Sequence, residues 1–151
     1  MSKVQRIVVH CTSDPATAVR NYEYFRHLFF DIYKWQHFGY HAVVYQDGDW
    51  EKLQAWPAAR VNGGYIDNLT MANGAKGYNA DSLHIAYIGG LDPATLKPSD
   101  TRTPAQKEKL RVLIATWKKR YHITEVVGHR DLLGVHKACP CFDARKEYVN
   151  V

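Results

Sequence analysis

The period of the apolar positions changes several times along the chain, and each change predicts an element. Arg6-Ile7-Val8-Val9-His10 is a continuous β-branched run, the pattern of a strand covered on both faces. Asp14-Pro15 interrupts it. Between Asn21 and Tyr33 the aromatics Tyr22, Phe25, Phe29 and Tyr33 recur at i, i+3, i+7 and i+11, which predicts an amphipathic helix lying on the core. Tyr40-His41-Ala42-Val43-Val44-Tyr45 reads as a second strand. Asp47-Gly48 is a hairpin turn signal, and residues 50–53 return as its partner. Leu83-His84-Ile85-Ala86-Tyr87-Ile88 is a third main strand, and Glu125-Val126-Val127-Gly128 a short fourth that runs into His129. Thr103-Pro104-Ala105-Gln106 opens a helix with N-cap, proline at the first position and capping box, and Leu110, Leu113, Ile114, Trp117 and Tyr121 form its apolar stripe. Residues 56–79 follow neither period. They are rich in Gly and Asn and read as long loops, which in a compact domain are usually functional or disordered.

Strands alternating with helices and long loops predict an α/β fold (α+β in some schemes). The expected architecture is one domain over residues 1–151, a mixed central β-sheet flanked by helices on both faces. Ligand groups gather at strand ends in such folds, and here His10 ends the first strand while His129 follows the last.

Composition narrows the function. No apolar run approaches the roughly 18 residues that span a bilayer, so membrane insertion is not expected. The first ten residues lack the apolar core of a signal peptide, which predicts synthesis in the cytoplasm and delivery by another agent. The net charge of +5 suits a solvated basic surface or attraction to a polyanion. No Lys/Arg block or recognition motif favours nucleic acid, and a bacterial wall, rich in carboxylates and phosphates, is the other polyanion. Three cysteines, an odd number, argue against a disulfide framework, and with eight histidines they make a metal site the first thing to test.

Zinc takes His and Cys ligands, three from the protein at a catalytic site, with one position left open. His10 and His129 come together if their strands are neighbours, and Cys139 or Cys141 supplies the third ligand. Each histidine taken singly reads first as a strand-end residue bonded to backbone. In an extended Lys137-Ala138-Cys139-Pro140-Cys141, alternate side chains share a face, which puts a lysine beside a thiolate. That lysine is suited to a developing oxyanion, or else faces solvent beside buried cysteines.

Seven segments resemble one family in order along nearly the whole chain. They are Ile7-Val8-Val9-His10-Cys11-Thr12, Gly39-Tyr40-His41, Lys76-Gly77-Tyr78-Asn79, Ile88-Gly89-Gly90-Leu91-Asp92, Thr103-Pro104-Ala105-Gln106, Gly128-His129-Arg130-Asp131 and Lys137-Ala138-Cys139-Pro140-Cys141-Phe142-Asp143. The family is the type-2 N-acetylmuramoyl-L-alanine amidases, the superfamily of T7 lysozyme and the peptidoglycan recognition proteins. The resemblance implies a T7 lysozyme-like amidase fold and Zn2+ held by His10, His129 and Cys139, with Cys141 as a neighbour. It implies Tyr40 and Lys137 as catalytic residues. It further implies hydrolysis of the amide between N-acetylmuramic acid and L-alanine in peptidoglycan; a single-domain amidase without a signal peptide fits a phage or prophage-type endolysin, expected as a monomer. A non-catalytic peptidoglycan-binding module is the alternative. For the substrate groove the expected residues are Asn62, Tyr65, Lys76, Tyr78 and Asn79, since amides and phenols suit peptide and sugar groups. Two departures bear on that groove. Position 74, where the family often has histidine, is Gly74, and the loop over residues 60–71 is longer than in the phage enzyme.

Overall fold

The computed structural model describes residues 1–151. Its elements run β1 (Ser2–Lys3), β2 (Arg6–Cys11), β3 (Asp14–Pro15), α1 (Tyr22–Arg26), β4 (Ala42–Val44), β5 (Trp50–Lys52), β6 (Tyr65–Ile66), β7 (Ser82–Tyr87), β8 (Gly90–Leu91), α2 (Pro104–Tyr121), β9 (Glu125–Gly128) and α3 (Ala144–Tyr148). A five-stranded sheet in the order β5-β4-β7-β2-β9 organises the molecule. β4, β7, β2 and β9 are mutually parallel, and β5 is the antiparallel edge. The mixed sheet and its two covered faces are therefore as the apolar pattern predicts.

One face belongs to α2. Leu110, Leu113, Ile114, Trp117 and Tyr121 pack on Ile7, Val9, Ile85, Tyr87, Ala42 and Val44, all buried. The helix starts where the sequence says. Thr103 Oγ1 accepts the Gln106 N–H at 3.0 Å, and Gln106 Oε1 accepts the Thr103 N–H at 3.0 Å. Gln106 also reaches into the sheet, its Nε2 donating to Ile88 O at 3.0 Å and Val44 O at 3.3 Å. That amide ties the helix start to the ends of two strands.

The opposite face is covered by smaller pieces. Phe25, Phe29 and Phe38 pack over Val43 and Ile88, while Val8 and Val127 meet Ala75 and Leu132. The helix expected through Tyr33 begins as predicted, with Asn21 accepting the Tyr24 N–H at 2.9 Å. It widens at His27–Ile32 into a π-helix, and the Tyr33 N–H bonds to Leu28 O at 2.9 Å. Extra residues per turn rotate the stripe. Phe25 and Phe29 stay buried, while Tyr33 is carried out to the rim with Trp35.

Residues 56–79 are more ordered than a bare loop. β6 pairs with β1 in a two-residue antiparallel ladder, and Gly64 O accepts the Val4 N–H at 2.9 Å. The first half of this segment is thereby pinned at the N-terminal ends of the parallel strands. No helix is long and apolar enough to cross a membrane.

Replacing Gln106 with Leu keeps the volume and leaves the Thr103 N–H and two strand carbonyls without their partner. The cost should be roughly 2–4 kcal/mol. Urea unfolding should show a lower midpoint at unchanged slope, and an unchanged midpoint would contradict the coupling.

Candidate metal centre

Parallel pairing builds the site. Val9 lies opposite Gly128, and His10 opposite Ala86, so His10 and the residue after β9, His129, emerge at the carboxyl end of the same pair of strands. Ligand sites of open parallel sheets form at that end. The His10 and His129 ring centroids are 4.7 Å apart. After His129 a short 3-10 turn (His129–Asp131) folds back, held by the Gly128 N–H donating to Asp131 Oδ2 at 2.7 Å. The Arg130 N–H bonds to Cys139 O at 2.8 Å and the Tyr87 hydroxyl to Pro140 O at 2.7 Å, which brings the C-terminal segment over the sheet end.

These tethers gather His10, His129 and Cys139, whose ligand atoms all lie within 4.8 Å of one another. His10 Nδ1 is 3.9 Å from Cys139 Sγ. The Cys11 N–H points at that sulfur from 3.2 Å, but without a metal the Cys11 thiol and burial push the Cys139 pKa up, so the backbone contact alone does not make it a thiolate. Burial, then the neighbouring His129 and Lys137, hold the His10 pKa well below the usual imidazole value. Burial and Lys137 lower that of His129. Two neutral imidazoles beside a cysteine that gives up its proton on metal binding are the donor set that zinc takes, so the residues fit the metal their types suggest.

The alternation expected over residues 137–141 holds only to its middle. Lys137 and Cys139 line one pocket, and the chain then turns, the Cys141 N–H bonding to Ala138 O at 2.7 Å. Cys141 is directed elsewhere, its sulfur 4.0 Å from Cys11 Sγ and 3.5 Å from Gly90 O.

The pocket, about 250 Å³, holds the three clustered residues with Tyr40, Lys137 and an aromatic wall that includes Phe29, Tyr33 and Trp35. Tyr40 sits 5.2 Å from His10, ring to ring. Burial and the nearby thiols push its pKa well above the usual phenol value, so its hydroxyl stays protonated at neutral pH. Trp35, Asn73, Gly74, His129 and Lys137 also line a broader adjoining groove of about 730 Å³, which continues over Lys76 and Asn79.

The five expected groove residues divide. Lys76 and Asn79 reach the groove, although Asn79 Oδ1 already accepts the Ala75 N–H at 2.8 Å. Tyr78 lies beneath it, packed on the Val8 cluster with the Arg6 guanidinium 5.4 Å from its ring. Asn62 and Tyr65 are not there. The ladder with β1 holds them beside Val4, six residues of strand below His10, or roughly 20 Å at about 3.3 Å per residue. The sequence reading of them as groove residues is corrected by that pairing.

Two features escaped the reading of the chain. The aromatic rim owes its position to the π-helix. His84 touches His10, Nδ1 to Nε2 at 2.9 Å. The signal for it was present: a histidine among the apolar residues of β7, on the same sheet face as His10 once the strands are parallel.

Residues 1–142 match the family model described as N-acetylmuramoyl-L-alanine amidase. The chain belongs to that family. The endolysin of Klebsiella phage KP32 is 31% identical over 97% of this chain and 91% of its own. Among solved structures, the N-acetylmuramoyl-L-alanine amidase LysC from Clostridium intestinale superposes with a TM-score of 0.72 at 21% identity, covering 98% of this chain and 83% of that one. Bumblebee PGRP-SA superposes with a TM-score of 0.71 at 18% identity, covering 99% and 83%. At those identities the two structures speak for the shared fold of this amidase-family chain.

The buried histidines set a pH dependence. Burial lowers the pKa of His41 to about 4, against a partial opposing effect of its bond to Thr70 O, and shifts His10 and His84 the same way. Between about pH 6.5 and 4 the unfolded chain therefore binds more protons than the folded one, and stability falls as pH falls through that window. His41 alone contributes on the order of 3 kcal/mol. Urea unfolding of the metal-free chain across this range should show the decline, and His41→Asn should make it shallower, with His10 and His84 supplying the rest. Constant stability down to pH 4 would contradict the assignment.

Proposed function

We propose that this chain is a zinc-dependent peptidoglycan amidase that hydrolyses the bond between N-acetylmuramic acid and L-alanine, acting as a phage or prophage-type endolysin through a single catalytic domain. The observation that carries the reading is the convergence of His10, His129 and Cys139 at one strand end, in a pocket shared with Tyr40 and Lys137. Zinc, when bound, supplies the Lewis acid that makes a nucleophile of water near neutral pH. Family membership and similarity to a phage endolysin support the substrate class.

The chain's own groups divide the remaining work. Lys137 is exposed on the pocket wall, two residues from Cys139, and its ammonium stabilises negative charge developing on the scissile carbonyl oxygen. Tyr40 keeps its proton and donates a hydrogen bond into the same space. The Phe29–Tyr33–Trp35 wall excludes water on one side. The groove over Lys76 and Asn79 gives an extended glycopeptide a place to lie. The basic balance of the chain, +5, favours approach to an anionic wall.

Two variant sets test the reading. Cys139→Ala should lose most of the zinc measured in the purified protein, and Cys141→Ser should keep it. The reverse pattern would overturn the ligand assignment. Lys137→Ala should keep zinc and fold and lose roughly 100- to 1000-fold in turnover on muropeptides. Release of new amino termini from purified sacculi, in step with free lactyl groups, separates an amidase from a module that only binds the wall. Wild-type protein that binds sacculi and releases neither would establish the binding module instead.

A further inference from the structure

β7 carries a histidine in the middle of an apolar strand, and the reaction outlined above makes no use of it. His84 is fully buried, yet its ring makes one polar contact, Nδ1 to His10 Nε2 at 2.9 Å. Its Nε2 has no hydrogen-bond partner. The ring is fixed from behind. The His84 backbone N–H donates to His41 Nδ1 at 3.0 Å, and the two rings are parallel with centroids 6.0 Å apart. Because His41 Nδ1 accepts, its Nε2 carries the proton and donates to Thr70 O at 2.6 Å. His41 is thereby immobilised, and His84 rests against it.

On the pocket side the space is closed by Gly74. A Cβ at that position would lie 2.5 Å from His84 Cγ and closer still to Nδ1. Gly74 does not take a positive φ, so its backbone admits other residues. The imidazole of His84 is what demands glycine there.

An imidazole binds a metal through the lone pair of one nitrogen, and the partner of the other nitrogen selects tautomer and ring angle. His10 Nδ1 is the nitrogen that faces Cys139 Sγ. Its Nε2 must then carry the proton, and His84 Nδ1 is placed to accept it. We propose that His84 is a positioning residue for the metal centre: it holds His10 with Nδ1 turned toward Cys139 and His129, and Gly74 is bare because His84 fills the space above it. The proposal rests on the metal-centre reading given above.

This arrangement leaves the His84 Nε2–H as a buried donor without an acceptor. A residue present for packing alone would be apolar; leucine would remove the unpaired His84 donor and leave the buried His10 Nε2–H without its acceptor, so its two effects on the fold offset. Fold stability therefore changes little under a substitution that weakens metal binding, which separates a positioning role from a structural one.

The test is zinc affinity of the full chain, measured by competition with a chromophoric chelator, alongside thermal unfolding of the metal-free protein. His84→Leu keeps volume and removes the acceptor. It should unfold near the wild-type temperature and bind zinc about 10- to 100-fold more weakly. His84→Asn restores an acceptor near the Nδ1 position and should stay within about 3-fold of wild type. Gly74→Ala should lower the unfolding temperature with His84 present and be tolerated beside His84→Ala. Long-range 1H–15N spectra of the zinc-loaded wild type should show His10 protonated on Nε2. Wild-type zinc affinity in His84→Leu, or His10 protonated on Nδ1, would overturn the positioning role and leave the metal centre standing. A wild-type chain that binds no zinc would overturn both.

Discussion

Parallel pairing of β2 with β9 is the constraint on which the rest of the molecule depends. Val9 opposite Gly128 brings two histidines, 119 positions apart in the chain, out of the same end of one sheet. Because side chains alternate along a strand, a slip of one residue would turn His10 into the α2 core and lift Cys11 into the pocket. The register is held by burial on both faces: Ile7 and Val9 under α2, Val8 against Val127 and Ala75. The hydrophobic core thus sets the geometry of the polar centre, and Cys139 is then added by tethers to strand ends already in place.

The cost of this arrangement is a polar patch inside the sheet. His10, His41 and His84 are all buried, and neutral rings are the form that burial favours. Each is accounted for by a bond to its neighbour, from Thr70 O through His41 and the His84 backbone to His10, with one ring nitrogen of His84 left over. The chain runs from a loop carbonyl to the pocket floor. Residues 70–74 consequently serve the site from beneath, through Thr70 O and Gly74.

Much of this was legible in the sequence, and the failures have particular causes. β2, the Asp47-Gly48 turn and the capping box at Thr103 are local patterns, and each appears where it was expected. Tyr33 left the buried stripe because a π-helix changes the number of residues per turn, which a 3.6 period does not anticipate. Asn62 and Tyr65 were placed by composition and proximity to the Lys76–Asn79 match. Their true position depends on pairing with Ser2–Lys3, a two-residue contact with no sequence signature. His84 was visible as a polar residue in an apolar strand. Its partner became identifiable only with the strand register, which pairs Val8 with His84 and so puts His10 and His84 on one face.

The proposed function rests on one cysteine and two histidines, joined by this register, forming a zinc centre. X-ray absorption at the zinc edge of the loaded protein tests it directly. The expected shell is one sulfur at about 2.3 Å and two imidazole nitrogens at about 2.0–2.1 Å, with the remaining scatterer a light atom. Two or more sulfurs would bring Cys11 or Cys141 into the coordination shell, and a shell without sulfur would remove Cys139. Either result would contradict the centre described here.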